Sequence, residues 1–103
     1  MRYSNLEPLF PLGEILMSPG AKALGNDIYR LLHRHQSGDW GEVGSSEDHE
    51  LNDLALANGE AIISQFLVSS QLEKTEIVII MTEDDRLQTV VYVEGEPALQ
   101  PAG

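Results

Sequence analysis

The run Ile77-Val78-Ile79-Ile80-Met81 constrains the fold of this chain more than any other stretch. Its unbroken apolar character and β-branched side chains read as a strand that offers apolar groups to both faces of a sheet, because successive side chains in a strand point to opposite sides. Strand-like stretches flank it. Residues 61–68 are rich in β-branched and aromatic side chains, and residues 87–93 alternate, with Thr89, Val91 and Val93 on one side and Gln88, Val90 and Tyr92 on the other. The connection Glu83-Asp84-Asp85-Arg86 suits a tight hairpin. Three strands in succession make an antiparallel meander, and the segments before it must cover one of its faces.

Those segments read as helices. Ser18-Pro19 is a helix start, with a serine at the cap and a proline in the first turn, where its missing N–H costs nothing. Gly25 ends that turn and Asn26 caps a second helix through about His35, whose Ile28, Leu31, Leu32 and His35 fall on one face. Residues 37–45 hold three glycines around Asp39, Trp40 and Glu42 and read as a loop. Ser45 or Ser46 caps a third helix with Glu47 and Asp48 in its first turn, Leu51, Leu54 and Ala55 on one side, and Gly59 at its end. Leu56 points nearly opposite and needs a second surface. Residues 14–17 fit a short strand. The expectation is an α+β fold, with two to three short N-terminal helices packed on a three-stranded antiparallel β-meander. One domain would span residues 1–93, followed by a flexible C-terminal tail, 94–103. The second apolar face of the central strand then calls for residues 9–17 folded back over it, or for a second subunit in a homodimer.

Charge narrows the partners. The 103 residues carry a net charge of −11, and from His35 onward there are fourteen carboxylates against Lys74 and Arg86 alone. Such a chain repels nucleic acid and anionic membrane and attracts basic surfaces. Cysteine is absent, which removes disulfides, thiol nucleophiles and thiolate metal sites and fits a reducing compartment. No apolar run reaches the length of a bilayer span, and Pro8, Pro11 and Glu14 break the stretch that most resembles a secretory leader, so a cytoplasmic protein is expected.

Two clusters carry chemical potential. In Arg34-His35-Gln36-Ser37-Gly38-Asp39-Trp40-Gly41-Glu42, His35 and Asp39 fit an acid–base pair. The preferred reading is that His35 closes the apolar stripe of the second helix while Trp40 plugs the edge of the core. In Thr82-Glu83-Asp84-Asp85-Arg86-Leu87-Gln88-Thr89, Arg86 suits a carboxylate or phosphate clamp, or relieves repulsion within a charged turn. His33, His35 and His49 do not make a metal site, since the rings of His-x-His diverge on a helix; no metal or cofactor is expected. Phosphate-binding, nucleophile-elbow and dinucleotide motifs are all missing. On the third helix Glu50 and Asp53 lie side by side with Asp48 on the opposite flank, in an array whose spacing approximates the charge repeat of a nucleic-acid strand.

Leu12-Gly13 with Ser18-Pro19-Gly20-Ala21, then Arg34-His35-x-Ser37-Gly38-Asp39-Trp40-Gly41-Glu42, then Thr82-Glu83-x-Asp85-Arg86-x-x-Thr89, resemble a family of small bacterial proteins borne on plasmids, integrated elements and phages. These are often labelled plasmid-related or, against their length, type I restriction subunits. The resemblance spans roughly residues 10–93. The family ends with leucines, a proline and a tyrosine after the last threonine, where this chain has Val90-Val91-Tyr92-Val93-Glu94. The resemblance implies carriage on a mobile element and no established activity.

Mobile elements must survive host restriction and interference systems, which hold nucleic acid in basic clefts. The leading expectation is therefore a non-enzymatic DNA mimic, of the anti-restriction or anti-CRISPR type, that inhibits or regulates a basic nucleic-acid-handling protein. Asp39, Glu42, Glu47, Asp48, Glu50 and Asp53 would supply charge and Trp40 an anchor. It would not bind nucleic acid or membrane directly. The alternative is a small ribonuclease laid out like the barnase or RelE type, with His35 as general acid, Glu83 as base, Arg86 as phosphate clamp and Ser64 or Thr89 assisting. A homodimeric accessory scaffold is the third reading.

Overall fold

The structure is a computed structural model that describes residues 8–69 and 74–96. Its elements follow in the order β1 (Glu14–Met17), α1 (Pro19–Ala23), α2 (Asp27–Gln36), α3 (Ser46–Asn58), β2 (Ile62–Ser69), β3 (Thr75–Thr82) and β4 (Gln88–Val93). The sheet has the order β1-β4-β3-β2. Strands β2, β3 and β4 form the expected antiparallel meander, and β1 joins as a fourth strand parallel to β4. The fold is α+β with three helices on a four-stranded mixed sheet. Among the described residues no helix is long and apolar enough to cross a membrane.

The helix boundaries follow capping chemistry. Ser18 accepts a bond from the Ala21 N–H at the start of α1. Asn26 stands at the start of α2 in helical conformation and makes no side-chain cap bond, so that helix runs almost directly out of the preceding turn. Ser45 and Asp48 form a reciprocal capping box at α3, and Gly59, at φ 73°, stops it in the left-handed conformation that glycine adopts at least cost.

Strand alternation divides the sheet into two faces. Ile62, Phe66 and Val68 of β2, Val78 and Ile80 of β3, and Val91 and Val93 of β4 point to one side, where Ile28, Leu31 and Leu32 of α2 cover them. A second cluster of Phe10, Trp40, Ala55 and Ile62 adjoins it, with Leu12 and Leu56 at its border. Residues 9–12 therefore fold back over the helix-covered side. Leu9 donates its N–H to the Gln36 carbonyl, and Phe10 packs edge-on to His35.

The burial of α3 departs from expectation. Leu51 and Leu54, expected on its inner face, are 59% and 57% exposed; Ala55, expected with them, is buried, and Asn52 is buried beside it. Leu56 meets the surface it required, in the second cluster. Polar satisfaction explains the rotation: Asn52 engages both the N–H and the carbonyl of Ile63, a gain that leucine side chains cannot supply.

Of residues 94–103, the described part is 94–96. Glu96 there accepts bonds from the Ser18 hydroxyl (2.6 Å) and from the backbone N–H groups of Gly20 (2.9 Å) and Val93 (2.8 Å), tying the end of β4 to α1. These bonds hold the Glu96 carboxyl below its ordinary pKa.

Candidate functional site

His35 sits at the last position of the apolar stripe of α2 and is fully buried, as are Ser64, Thr82 and Thr89 on the three meander strands. Polar residues at inward strand positions need partners, and these find one another. His35 Nδ1 lies 2.5 Å from Ser64 Oγ and Nε2 lies 2.8 Å from Thr82 Oγ1, which is 2.7 Å from Thr89 Oγ1; Thr89 donates to the Leu12 carbonyl at 2.7 Å.

Proton counting orders this chain. Each hydroxyl has one hydrogen. Thr89 gives its hydrogen to Leu12, so Thr82 donates to Thr89. Thr82 must then accept from His35 Nε2–H, and in a neutral ring Nδ1 accepts from Ser64. The assignment requires a neutral imidazole. Burial, together with the charge of Arg86, lowers the His35 pKa to about 3, in agreement. The rings of Phe10 and Trp40 stand 5.2 and 6.1 Å from the imidazole. A neutral ring with both nitrogens committed to core hydroxyls offers no proton to a bound substrate. The packing role expected for His35 is the one this geometry supports.

Arg86 and Glu83, the other named residues of the nuclease reading, are half-exposed, and each is engaged within the fold. Arg86, itself at φ 62°, donates to the carbonyls of Glu60 (2.7 Å), Glu83 (3.0 Å) and Ala55 (3.5 Å). It thus ties the β3–β4 hairpin to the C-terminal end of α3, where a cation is favoured. Its guanidinium also stands over Phe10, 5.4 Å from the ring centre. Glu83 accepts from the Gln88 amide at 3.0 Å.

Four of the six acids expected to meet a partner serve the fold. Asp39 and Glu42 both grip Arg34, each at 2.7 Å. Burial works against ionising these carboxyls, yet the hydrogen bonds and charge of Arg34, with backbone N–H groups, outweigh it and hold both pKa values below the ordinary range. The bond from Asp39 in turn raises the pKa of Arg34. Asp48 completes the cap of α3. Asp53 accepts at 2.9 Å from the indole N–H of Trp40, which is only 5% exposed and belongs to the core. Glu47 and Glu50 remain exposed, with no hydrogen bond or ion pair to their side chains among the described residues.

The same loop seals an edge of the sheet. Strand β2 lies outermost, and its outward backbone groups at residues 63, 65 and 67 would otherwise template another strand. Asn52 satisfies both groups of Ile63; Gln65 donates to the Trp40 carbonyl and accepts from Val43; the Leu67 N–H donates to Glu42. Sequence reasoning missed the role of Asn52, although an amide among leucines on an otherwise helical segment was a visible cue.

The sheet face away from α2 has a different character. By register it carries Leu16, Val90, Met81 and Ile63 in one row, Tyr92, Ile79 and Gln65 in the next, and Ile77 beside Leu67. Ile63 and Leu67 are 45% and 47% exposed. A cleft of about 320 Å³ runs from this face to α3, lined by Leu51, Ile63 and Gln65 with Asp48 and Glu60 at its margin. Among the described residues no group of histidine, aspartate and glutamate side chains converges as a metal site. No family model, curated protein or solved structure matches this chain.

Proposed function

We propose that this chain is a non-enzymatic protein that binds a basic, nucleic-acid-handling protein and inhibits or regulates it. The observation that carries the reading is the placement of charge. Arg34 and Arg86 are engaged by carboxylates and carbonyls of the fold, while Glu47, Glu50, Asp84 and Glu94 stand on the surface without partners among the described residues. With both of these arginines engaged within the fold, the net charge of −11 favours steered approach to a cationic surface. The attraction rests on this summed field. A phosphate-by-phosphate copy of a nucleic-acid strand is not supported, because Asp39, Glu42, Asp48 and Asp53 are already engaged. The resemblance to mobile-element proteins makes a host restriction or interference protein the fitting setting.

Immobilised chain exposed to bacterial lysate should retain nucleic-acid-binding proteins that are released by salt and displaced by duplex DNA. A retained partner that holds DNA and this chain at once, or whose affinity is indifferent to salt, would overturn the reading.

A further inference from the structure

We infer that the open face of the sheet is a docking surface for a basic amphipathic helix of the partner; this rests on the reading above and names where that partner is held. Residues 9–12 pack on the opposite face, and the half-buried row Ile77, Ile79 and Met81 on β3 belongs to neither core cluster of the described residues. Leu67 and Ile63 on β2 extend the row sideways toward Leu51 of α3.

Three observations fix the occupant. The sealed β2 edge offers no unpaired backbone at residues 63 and 65, and the 67 N–H is taken, so a strand does not add beside Ile63 and Leu67 and an occupant of these side chains lies face-on. Length is the second. Ile77 to Met81 spans about 13 Å at the rise of a strand, close to the ~10.5 Å between positions i and i+7 of a helix, so one apolar helical stripe fits along β3. Charge is the third. Glu94, which donates its N–H to the Ile77 carbonyl, stands at one end of the row, and Glu83, bonded to Gln88, stands at the other. Glu14 pairs with Gln88 at the same margin. A second copy would bring these carboxylates against their own kind. A helix with an apolar stripe and flanking lysines or arginines is complementary in both respects.

The test uses a synthetic helical peptide of about four turns with leucines at i, i+3, i+4 and i+7 and lysines elsewhere, against a scrambled peptide of equal composition, in salt of about 0.15 M. Amide chemical shifts should move at Ile77, Ile79 and Met81, and the amphipathic peptide should bind at least about tenfold more tightly than the scrambled one. Leu67→Ser and Ile63→Ser, at half-exposed positions, should each weaken binding several-fold with an unchanged unfolding midpoint, and the double variant Glu83→Gln/Glu94→Gln should reduce its salt dependence. Equal binding of both peptides, or shifts confined to Glu47 and Glu50, overturns this surface and leaves the basic-partner reading intact. So does a concentration-dependent dimer that Leu67→Ser abolishes. Failure of both peptides to bind overturns the surface, and the basic-partner reading falls with it only if lysate capture also returns no DNA-displaceable protein.

Discussion

His35 bonds β2 and β3 through its two ring nitrogens and reaches β4 through Thr82, and the hydrogen that Thr89 gives to Leu12 sets the proton directions as far as Nε2, the neutral ring setting that at Nδ1. Its burial was legible in the sequence, since it falls at i+7 of the α2 stripe. Its partners were not: Ser64, Thr82 and Thr89 lie on separate strands, and only their register brings them to one ring. A neutral native imidazole makes stability depend on pH with a definite sign. The unfolded ring protonates near its ordinary value while the folded ring resists to about 3, so the stabilisation is complete above pH ~6.5 and is lost as pH falls toward 3. The contribution to the slope should reach about 1.4 kcal/mol per pH unit, measured by urea unfolding between those limits. In His35→Ala that component should disappear, and the loss of packing with the Ser64 and Thr82 hydroxyls each left short of a partner should cost about 3 kcal/mol near neutral pH. A variant as stable as the parent would remove the polar chain from the account of the core.

At the scale of elements, α3 teaches the most. Its leucines suggested one inward face, and the structure chose another because Asn52 closes the backbone of an edge strand. Asn52→Leu, close in volume, should therefore destabilise by about 2 kcal/mol in thermal or urea unfolding, by stranding two backbone groups. It should also promote aggregation, visible in light scattering, by reopening the β2 edge. The loop before α3 has a similarly strict requirement. Gly41, at φ 94°, passes so close to Gln65 that a Cβ would collide with its carbonyl. Gly41→Ala should cost more than about 2 kcal/mol and loosen the Trp40 and Val43 bonds to Gln65, read as faster amide exchange at residues 43 and 65. The three glycines announced a loop there; that it runs beside β2 as a cover depended on where β2 came to rest.

For the whole molecule, the governing quantity is a net charge of −11, with Arg34 and Arg86 committed to bonds within the fold. Like charges on one compact body repel, so raising salt from about 0.01 to 0.15 M should raise the unfolding midpoint, followed by circular dichroism. A midpoint that falls with salt would mean that the ion pairs of Arg34 outweigh the repulsion. The amino-acid sequence by itself determined the local elements and the meander, because caps, turn residues and side-chain alternation act within a few residues of one another. It also determined the sign of the electrostatic field, which is additive. The tertiary structure alone decided which carboxylates are bonded within the fold, what His35 touches, that β1 joins the sheet in parallel, and which sheet face the helices cover. Those outcomes depend on groups far apart in the chain competing for the same hydrogen bonds and the same buried space.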